Sequence, residues 1–333
     1  MQRTANISRP KNLEDLLNPE LVARLGQLDI SSRKVFSGKL KGERRSKRRG
    51  ESVEFADHRP YVSGDDMRHI DWNIFGRLDR LFLKLFLEEE DLSLHIVIDC
   101  SASQDCGEPN KFLFMQKLAA SLAYVGLVNL NRVAVTAIGE RLGGTALPSG
   151  SGAGAPALES GSTESASTEG VVSSLRDLRG RRRLHELIAY LCTLEPEGST
   201  RFADACKRIA ITRRGKGIMI ILSDFFYKEG YETGLRMLKG HGYDLFAIQV
   251  LSPQEMEPNI GGDLRLKDIE DGDTAEVTIS APLLKKYKQI LNAYCNRLHE
   301  FCAQRDITHM TVKSDMPVDV LVMDYLRRRG LLR

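Results

Sequence analysis

Three oxygen-bearing side chains stand at alternate positions directly after an apolar run. Asp99, Ser101 and Ser103 follow residues 94–98, which read Leu-His-Ile-Val-Ile. A short, β-branched apolar run is typical of a strand that is buried in a parallel sheet. Carboxylate and hydroxyl oxygens are the ligands that a hard cation such as Mg²⁺ prefers. The spacing of the three residues therefore predicts a cation site on the loop after this strand.

Two further oxygen donors lie at comparable places later in the chain. Asp224 ends a second apolar run, residues 218–223, and Thr200 precedes a predicted helix. Open α/β sheets bind ligands at the carboxyl ends of their strands, so these residues are expected to meet the first three. Singly, Ser103 and Thr200 also fit helix caps and Asp224 fits a turn, but the order and placement of all the residues favour a common site.

Together these residues offer two carboxylates and three hydroxyls, which fill most of an octahedral shell. The remaining position is left for water or for an acidic side chain of a partner protein. Because hydroxyl oxygens are weak ligands, the site is expected to bind its cation only modestly without the partner, and to be empty in some preparations. We predict one Mg²⁺ or Mn²⁺ ion, with the ligands Asp99, Ser101, Ser103, Thr200 and Asp224.

Strands and helices alternate along most of the chain, and this order must bring the predicted ligands together. The pattern predicts helices at 111–130, 184–194, 231–239, 283–305 and 318–329, strands at 81–87, 94–99, 132–138, 218–224, 244–251 and 308–313, and a hairpin within 264–279. Such alternation is typical of an α/β fold with a doubly wound, mostly parallel sheet flanked by helices. A small N-terminal subdomain that contains β-structure is also predicted, because Val53 and Phe55 suggest a short strand.

Composition divides the 333 residues into three segments. Residues 1–50 hold a short helix, opened by an Asn-Pro pair, and a basic arm. Residues 51–92 form the small β subdomain, and residues 93–333 form the large α/β domain. From about 143 to 170 the large domain consists nearly entirely of Gly, Ser, Ala, Thr, Pro and Glu, which predicts a flexible insertion.

The chain is 42% apolar and 28% charged, with a formal net charge of +3, as in soluble globular proteins. Its N-terminus lacks the apolar core of a signal peptide, and no apolar run approaches about 20 residues. The six cysteines are scattered without a Cys-x-x-Cys pair, which favours free thiols. We therefore expect a cytoplasmic protein with no membrane span.

A second group of metal-binding residue types lies near the C-terminus. Cys295, His299 and Cys302 fall on one face of a predicted helix and could bind zinc with a fourth ligand from elsewhere. Structural zinc sites normally show four recognisable ligands, so a core-facing stripe is the favoured interpretation.

Charged residues crowd around the single tryptophan, Trp72. Such a density of charge could be catalytic, but we favour an ion-pair network that clamps a turn and surrounds a buried indole. The segment is accordingly predicted to be a scaffold. Its charged residues are Arg59, Asp65, Asp66, Arg68 and Asp71.

Motifs in this upstream segment closely resemble the signature of the bacterial domain of unknown function 58 family. They are Glu54-Phe55, Arg59-Pro-Tyr61, Gly64-Asp-Asp66, Arg68 and Ile70-Asp-Trp72. That family couples its signature to a von Willebrand factor A-like domain. The metal-ion-dependent adhesion site of that fold is similar to the motifs Asp99-Cys-Ser-Ala-Ser103, Gly198-Ser-Thr200 and Ser223-Asp224. The resemblance runs from about residue 50 to the C-terminus and implies the von Willebrand A-like fold and its metal site.

The chain departs from the family pattern at two places. Gln104 stands where the family usually has an apolar residue, often Met. The low-complexity segment 143–170 has no counterpart in the family pattern. Many relatives also carry N-terminal membrane helices, which this sequence lacks, so membrane anchoring is not expected here.

Relatives in this family are commonly encoded beside MoxR-type AAA+ ATPases and are thought to act with them in assembling or activating other proteins. The resemblance therefore implies a non-enzymatic, metal-dependent protein-interaction module that serves as adaptor or client-binding partner of such an ATPase. Its expected partners are the ATPase and a client protein that offers an acidic side chain.

Two other function classes stay open. The basic run Lys39–Arg49 could bind nucleic acid or an anionic surface, but it holds no aromatic residue for base stacking and also fits a solvated arm. A metal-assisted hydrolase would use the same carboxylates, but no general base, phosphate loop or dinucleotide fingerprint is visible. No catalytic residue is assigned, and nucleic acid is not the favoured partner.

Overall fold

The computed structural model describes residues 9–28, 30, 54–87, 93–139, 170–212, 217–328 and 330–332. These residues fall into two compact units, one within Met1–Arg33 and Leu92–Arg333 and the other within Lys34–Asp91. The first N-terminal helices therefore belong to the larger unit. The predicted basic arm and nearly all of the predicted insertion lie outside the described residues.

The described elements are numbered here in chain order. The strands are β1 (Glu54–Pro60), β2 (Phe82–Leu87), β3 (Ser93–Asp99), β4 (Arg132–Ile138), β5 (Val171–Leu178), β6 (Gly217–Ser223), β7 (Asp244–Leu251), β8 (Gly262–Lys267), β9 (Thr274–Ile279) and β10 (Thr308–Lys313). The helices are α1 (Leu13–Leu16), α2 (Pro19–Leu25), α3 (Trp72–Leu78), α4 (Lys111–Val128), α5 (Leu184–Cys192), α6 (Phe202–Thr212), α7 (Glu232–Gly240), α8 (Pro253–Met256), α9 (Ala281–Ala303) and α10 (Val318–Val320). The last helix continues as a π-helical segment, Leu321–Leu326.

A six-stranded sheet with the order β10-β7-β6-β3-β4-β5 forms the centre of the larger unit. Every neighbouring pair is parallel except β4 and β5. This is the predicted doubly wound, mostly parallel α/β fold, and that prediction is confirmed. The chain passes from β3 to β4 on one side and returns to β6 on the other, so the switch point lies between β3 and β6. The edge strand β5 was not predicted, because Val-Val-Ser-Ser-Leu-Arg-Asp-Leu lacks a regular apolar alternation.

Helices cover both faces of this sheet, and alternate residues of β3 point to opposite sides. Ile96 and Ile98 join the core formed with α4 and α5. Val97 joins the second core, formed with α6, α7 and α9. In the part of the chain that the structure describes, α4 is the one helix long and apolar enough to cross a membrane, yet 83% of it is buried inside the protein. This is the placement of a core helix.

The smaller unit contains an antiparallel strand pair, β1 and β2. Polar contacts between side chains hold the turn that connects these strands. Arg59 and Asp65 form an ion pair at 2.7 Å, as predicted. Asp71 is the N-cap residue of α3, and its carboxylate accepts hydrogen bonds from the backbone N–H groups of Asn73 and Ile74. Its carboxylate also lies 3.0 Å from His58 Nε2 and 3.4 Å from Lys84 Nζ.

The prediction that Trp72 is buried within this network is wrong. Its side chain is 61% exposed and contacts Phe75 edge to face, at 6.0 Å between ring centroids. A two-stranded sheet with one short helix buries little volume, and Ile70 and Leu83 already fill it. The aromatic residue of the signature therefore lies on the surface of its unit.

Asp71, and not Trp72, is expected to stabilise the smaller unit. Burial works to raise the pKa of Asp71, but hydrogen bonds from His58, two backbone N–H groups and Lys84 lower it to about 2. A lowered folded-state pKa adds stability above the unfolded value of about 4, and this stability is lost as the pH falls toward 2. Asp71→Ala should therefore speed amide exchange in β1 and β2 at neutral pH and remove this acid dependence, whereas Trp72→Ala should leave exchange unchanged. Faster exchange in Trp72→Ala alone would contradict the assignment.

Candidate metal centre

The carboxylate of Asp99 lies at the centre of the candidate site, where β3 ends between β4 and β6, and it is fully buried. Oδ1 accepts hydrogen bonds from the Ser101 backbone N–H at 3.0 Å and from the Thr200 hydroxyl at 2.9 Å. Oδ2 accepts from the Ser223 hydroxyl at 2.8 Å and from the Gln104 amide at 3.4 Å. These four donors are neutral, so they solvate the charge of Asp99 without balancing it.

The loop after β3 turns further polar groups toward Asp99. The hydroxyl oxygens of Ser101 and Ser103 lie 2.9 Å apart, and Gln104 Nε2 lies 3.4 Å from each of them. Gln104 is fully buried, and within the described residues its Oε1 is without a hydrogen-bond partner. The residue at which the sequence departs from the family pattern is therefore part of the site.

A second loop, between α5 and α6, carries Thr200 to the same point. The backbone N–H of Ala102 donates to the carbonyl of Gly198 at 2.9 Å, which joins this loop to the loop after β3. Gly198 has a φ of 63°, a left-handed conformation that glycine adopts at low cost. This backbone contact and the hydrogen bond from Thr200 to Asp99 together join the two loops.

Asp224 follows β6, but its carboxylate is paired with a buried lysine. Lys111 Nζ donates to Asp224 Oδ2 at 2.7 Å and to Glu255 Oε1 at 2.9 Å, and all three side chains are buried. Burial alone would lower the pKa of Lys111, but the two carboxylates raise it above its usual range. Lys111 begins α4, where the helix dipole disfavours a cation, so these ion pairs are what hold it there.

Negative charge exceeds positive charge around this point. Burial and the nearby charge of Asp224 raise the pKa of Asp99. On the loop between β8 and β9, burial raises the pKa of Glu270, and the charges of Asp99 and Asp224 raise it further. Lys111 offsets only one of these carboxylate charges. Carboxylates that are removed from water favour a bound cation or a proton, so the electrostatics suit a divalent cation.

The structure brings four predicted ligands, Asp99, Ser101, Ser103 and Thr200, into one hydrogen-bonded cluster. Asp224 lies next to this cluster, because the hydroxyl of its neighbour Ser223 donates a hydrogen bond to Asp99. One oxygen of the Asp224 carboxylate accepts a hydrogen bond from Lys111. Their role in binding a metal stays a prediction. Of the further polar residues at the site, Ser223 and Gln104 were noted in the sequence, whereas Lys111, Tyr227 and Glu255 were not predicted.

One of these residues had a signal in the sequence. A lysine at the first position of an otherwise apolar helix, Lys111, calls for a buried partner. Tyr227 and Glu255 carry no such signal.

Within the described ranges, no group of three or more His, Cys, Asp or Glu side chains is placed to hold a metal ion. The zinc alternative at Cys295, His299 and Cys302 is therefore wrong. Cys302 is buried in the second core, and His299 Nδ1 lies 3.4 Å from Nδ1 of His309. The cluster around Asp99 is of another kind, because its donors are hydroxyl and amide oxygens with two carboxylates. Such a donor set fits Mg²⁺ or Mn²⁺.

The sequence profile of one family, described as protein of unknown function DUF58, matches residues 57–156 and 166–293. These ranges include more than half of the chain and both units. The chain belongs to the DUF58 family. The DUF58 match ends at 156 and resumes at 166, so the part of the low-complexity segment without a counterpart is shorter than the predicted 143–170.

Curated relatives of this DUF58 chain are themselves uncharacterized. The protein Rv1480 of Mycobacterium tuberculosis strain H37Rv is 24% identical over 326 residues, which are 96% of this chain and 93% of that protein. The protein MAV169 of Mycobacterium avium is 32% identical over 133 residues, which are 39% of this chain and 75% of that protein. The similarity to Rv1480 thus extends along nearly the whole chain.

Two solved structures align with parts of this chain at low sequence identity. BatB from Bacteroides thetaiotaomicron aligns with a TM-score of 0.40 and 10% identity, over 71% of this chain and 98% of that chain. Proximal thread matrix protein 1 from the mussel byssus, described with a zinc-occupied MIDAS motif, aligns with a TM-score of 0.33 and 14% identity, over 48% of this chain and 36% of that chain. No site residue is transferred from either structure.

Proposed function

We propose that this DUF58 protein is a non-enzymatic protein-interaction module whose partner binding depends on a divalent cation. The observation that carries the proposal is the fully buried Asp99 carboxylate, held by neutral donors at the switch point of the sheet. Open α/β sheets bind their ligands at this edge. A buried charge without a balancing charge in contact costs stability, and a bound cation would supply that balance.

Mg²⁺ or Mn²⁺ would be held by oxygen atoms of Asp99, Ser101, Ser103, Thr200 and Asp224. The amide oxygen of Gln104, which is buried and without a partner in the described part of the chain, adds one more oxygen donor at the same place. When bound, the cation supplies the positive charge that a partner's carboxylate needs. Of these residues Ser103 and Thr200 are half-buried and the others are buried, so a partner's carboxylate would approach the cation from the side of Ser103 and Thr200.

The side chains next to the site support binding rather than catalysis. Burial raises the pKa of the Cys106 thiol to about 12, and it raises that of Cys100 well above its usual value. Thiols with raised pKa values are poor nucleophiles at neutral pH because the reactive form is the thiolate. These thiols therefore do not support nucleophilic catalysis at the site, and metal-assisted hydrolysis, which needs no thiol, remains the second proposal.

The proposed partners are a MoxR-type AAA+ ATPase, a client protein with an accessible acidic side chain, or both, in the cytoplasm. This step rests on the resemblance to relatives that act with such ATPases. In this scheme the cation site captures the acidic side chain, and the ATPase remodels or activates the captured client.

Removal of the cation is expected to release the partner. Immobilised protein should retain the purified MoxR-type ATPase of the same organism, or its client, in Mg²⁺ and lose it at least about tenfold in chelator, because a carboxylate would then face Asp99 and Asp224 directly. Binding should be measured without nucleotide, so that the metal requirement of the ATPase itself does not contribute. Addition of Mn²⁺ should restore the binding. Equal retention with Mg²⁺ and with chelator would contradict the proposed function.

A further inference from the structure

A groove lies between the N-terminal helices and the start of α4. It is lined by residues of α1, α2, the first half of α4 and residues 314–319, and its volume is about 470 Å³. Clefts of this size can enclose several side chains or a small ligand. Part of its lining is apolar, because Leu21, Leu113 and Met316 pack against the core but stay half-buried.

The groove carries an excess of negative charge. Five acidic and two basic residues line it. Arg24 pairs with Asp319 at 3.3 Å. Glu14, Glu20 and Asp315 are exposed, and none of them forms an ion pair within the described residues. This acidic groove therefore suits a ligand that is apolar on one side and positively charged beside it.

The first turns of α9 carry an apolar stripe on the surface. Residues 281–290 are nearly all exposed. Leu283, Tyr287 and Ile290 are 38%, 37% and 57% exposed, and their spacing of four and three residues places them on one face of the helix. The Tyr287 hydroxyl donates to the carbonyl of Glu255 at 2.9 Å, which fixes this part of α9 to the body.

Positive charge accompanies the α9 stripe. Lys285, Lys286 and Lys288 are exposed and form no ion pair with the part of the chain that the structure describes. Lys286 lies three residues after Leu283 and four before Ile290, so its ammonium borders the stripe. The stripe thus offers the combination of apolar side chains and positive charge that the acidic groove suits.

The groove and the stripe lie on opposite faces of the central sheet. Leu21, Leu113 and Met316 pack against the core formed with α4 and α5. In contrast, α9 packs through Leu298 and Cys302 against the second core. One copy of the chain therefore cannot join its own stripe to its own groove, whereas two copies can.

We propose that the first turns of α9 in one copy of the chain dock in the acidic groove of a second copy. An amphipathic helix that lays anchors at positions i, i+4 and i+7 into an apolar groove is a recurring mode of recognition. The lysines of α9 then meet the exposed acids of the groove, and this complementarity selects and orients the partner. Because the two surfaces differ, the contact is heterologous, and its repetition gives a ring or a filament.

The test measures association of the full chain by sedimentation velocity over a range of concentrations. Wild type should form species larger than one chain at low ionic strength and lose them as salt is added, since salt screens exposed charges. Lys286→Glu and Asp315→Lys should each weaken association by about tenfold or more, because like charges then face one another. A mixture of the two variants should associate again, because the changed helix of one meets the changed groove of the other. Ile290→Ser, which removes an apolar anchor, should also weaken association.

Lys285→Glu is the matched control, because Lys285 lies on the same turn but not on the side of the stripe. It should associate as wild type does, and all variants should keep the unfolding midpoint of wild type, since the changed side chains are exposed. A wild-type chain that stays single at every concentration, or a mixture that associates no better than its components, refutes the contact. If Asp315→Lys abolishes association while Lys286→Glu and Ile290→Ser leave it unchanged, another basic segment such as Lys39–Arg49 occupies the groove, and the proposal is refuted.

Discussion

Asp99→Asn is expected to lower Mn²⁺ affinity by about a hundredfold or more and to abolish partner capture, while the fold is kept. The substitution preserves the shape of the side chain and removes the charge at the centre of the site. Burial and the charge of Asp224 raise the pKa of Asp99, so its ionised form opposes folding at neutral pH. The unfolding midpoint of the variant should accordingly equal or exceed that of wild type without added metal.

The matched control is Asp244→Asn, the same change at a buried aspartate of the same sheet. Asp244 begins β7 and therefore lies at the edge opposite to the one where Asp99 ends β3. This variant should bind Mn²⁺ and partner as wild type does, whatever its effect on stability. Calorimetric titration with Mn²⁺, thermal unfolding and partner capture in Mg²⁺ make the comparison. Full partner capture by a folded Asp99→Asn variant would refute the adhesion mechanism.

Lys111→Met is expected to destabilise the larger unit by about 3–5 kcal/mol. The ammonium of Lys111 pairs with Asp224 at 2.7 Å and with Glu255 at 2.9 Å in a buried position. Removing it leaves two buried carboxylates without their common partner. The free energy of unfolding from denaturant titration measures the loss. Mg²⁺ should restore part of it, because a dication at the site replaces some of the missing positive charge.

Lys117→Met provides the control for this second prediction. Lys117 lies on the same helix and is half-buried. Its replacement by Met also removes an ammonium group, but it leaves the ion pairs of Lys111 intact. Its effect should stay below about 1 kcal/mol. If Lys111→Met is no less stable than Lys117→Met, or if Mg²⁺ stabilises the two variants equally, the ion pairs with Asp224 and Glu255 do not carry the assigned role.

Local patterns predicted the architecture well. The apolar runs that end in Asp99 and before Asp224 proved to be adjacent strands, β3 and β6, and the helix expected at 111–130 is α4. Burial on both faces of a parallel sheet leaves a continuous apolar run in the sequence, and such runs are readable without knowledge of their partners. Thr200 was expected beside Asp99 from the order of the motifs, although it lies on the loop between α5 and α6 and not at the end of a strand.

Contacts between distant residues were not predictable in the same way. Lys111 and Asp224 are 113 positions apart, and nothing in either local pattern indicates that they pair. Trp72 was expected to be buried because indoles usually are, but a unit of two strands cannot cover it. In both cases the outcome depends on which surfaces meet and how much volume they enclose.

The sequence by itself determined the doubly wound sheet and the set of oxygen donors at its edge, because both follow from local periodicity and strand order. The tertiary structure decided which groups surround those donors. It paired Asp224 with Lys111 and brought the Ser223 hydroxyl to Asp99. These contacts join segments that are remote in the chain, and their energies depend on burial and net charge, which only the assembled fold defines.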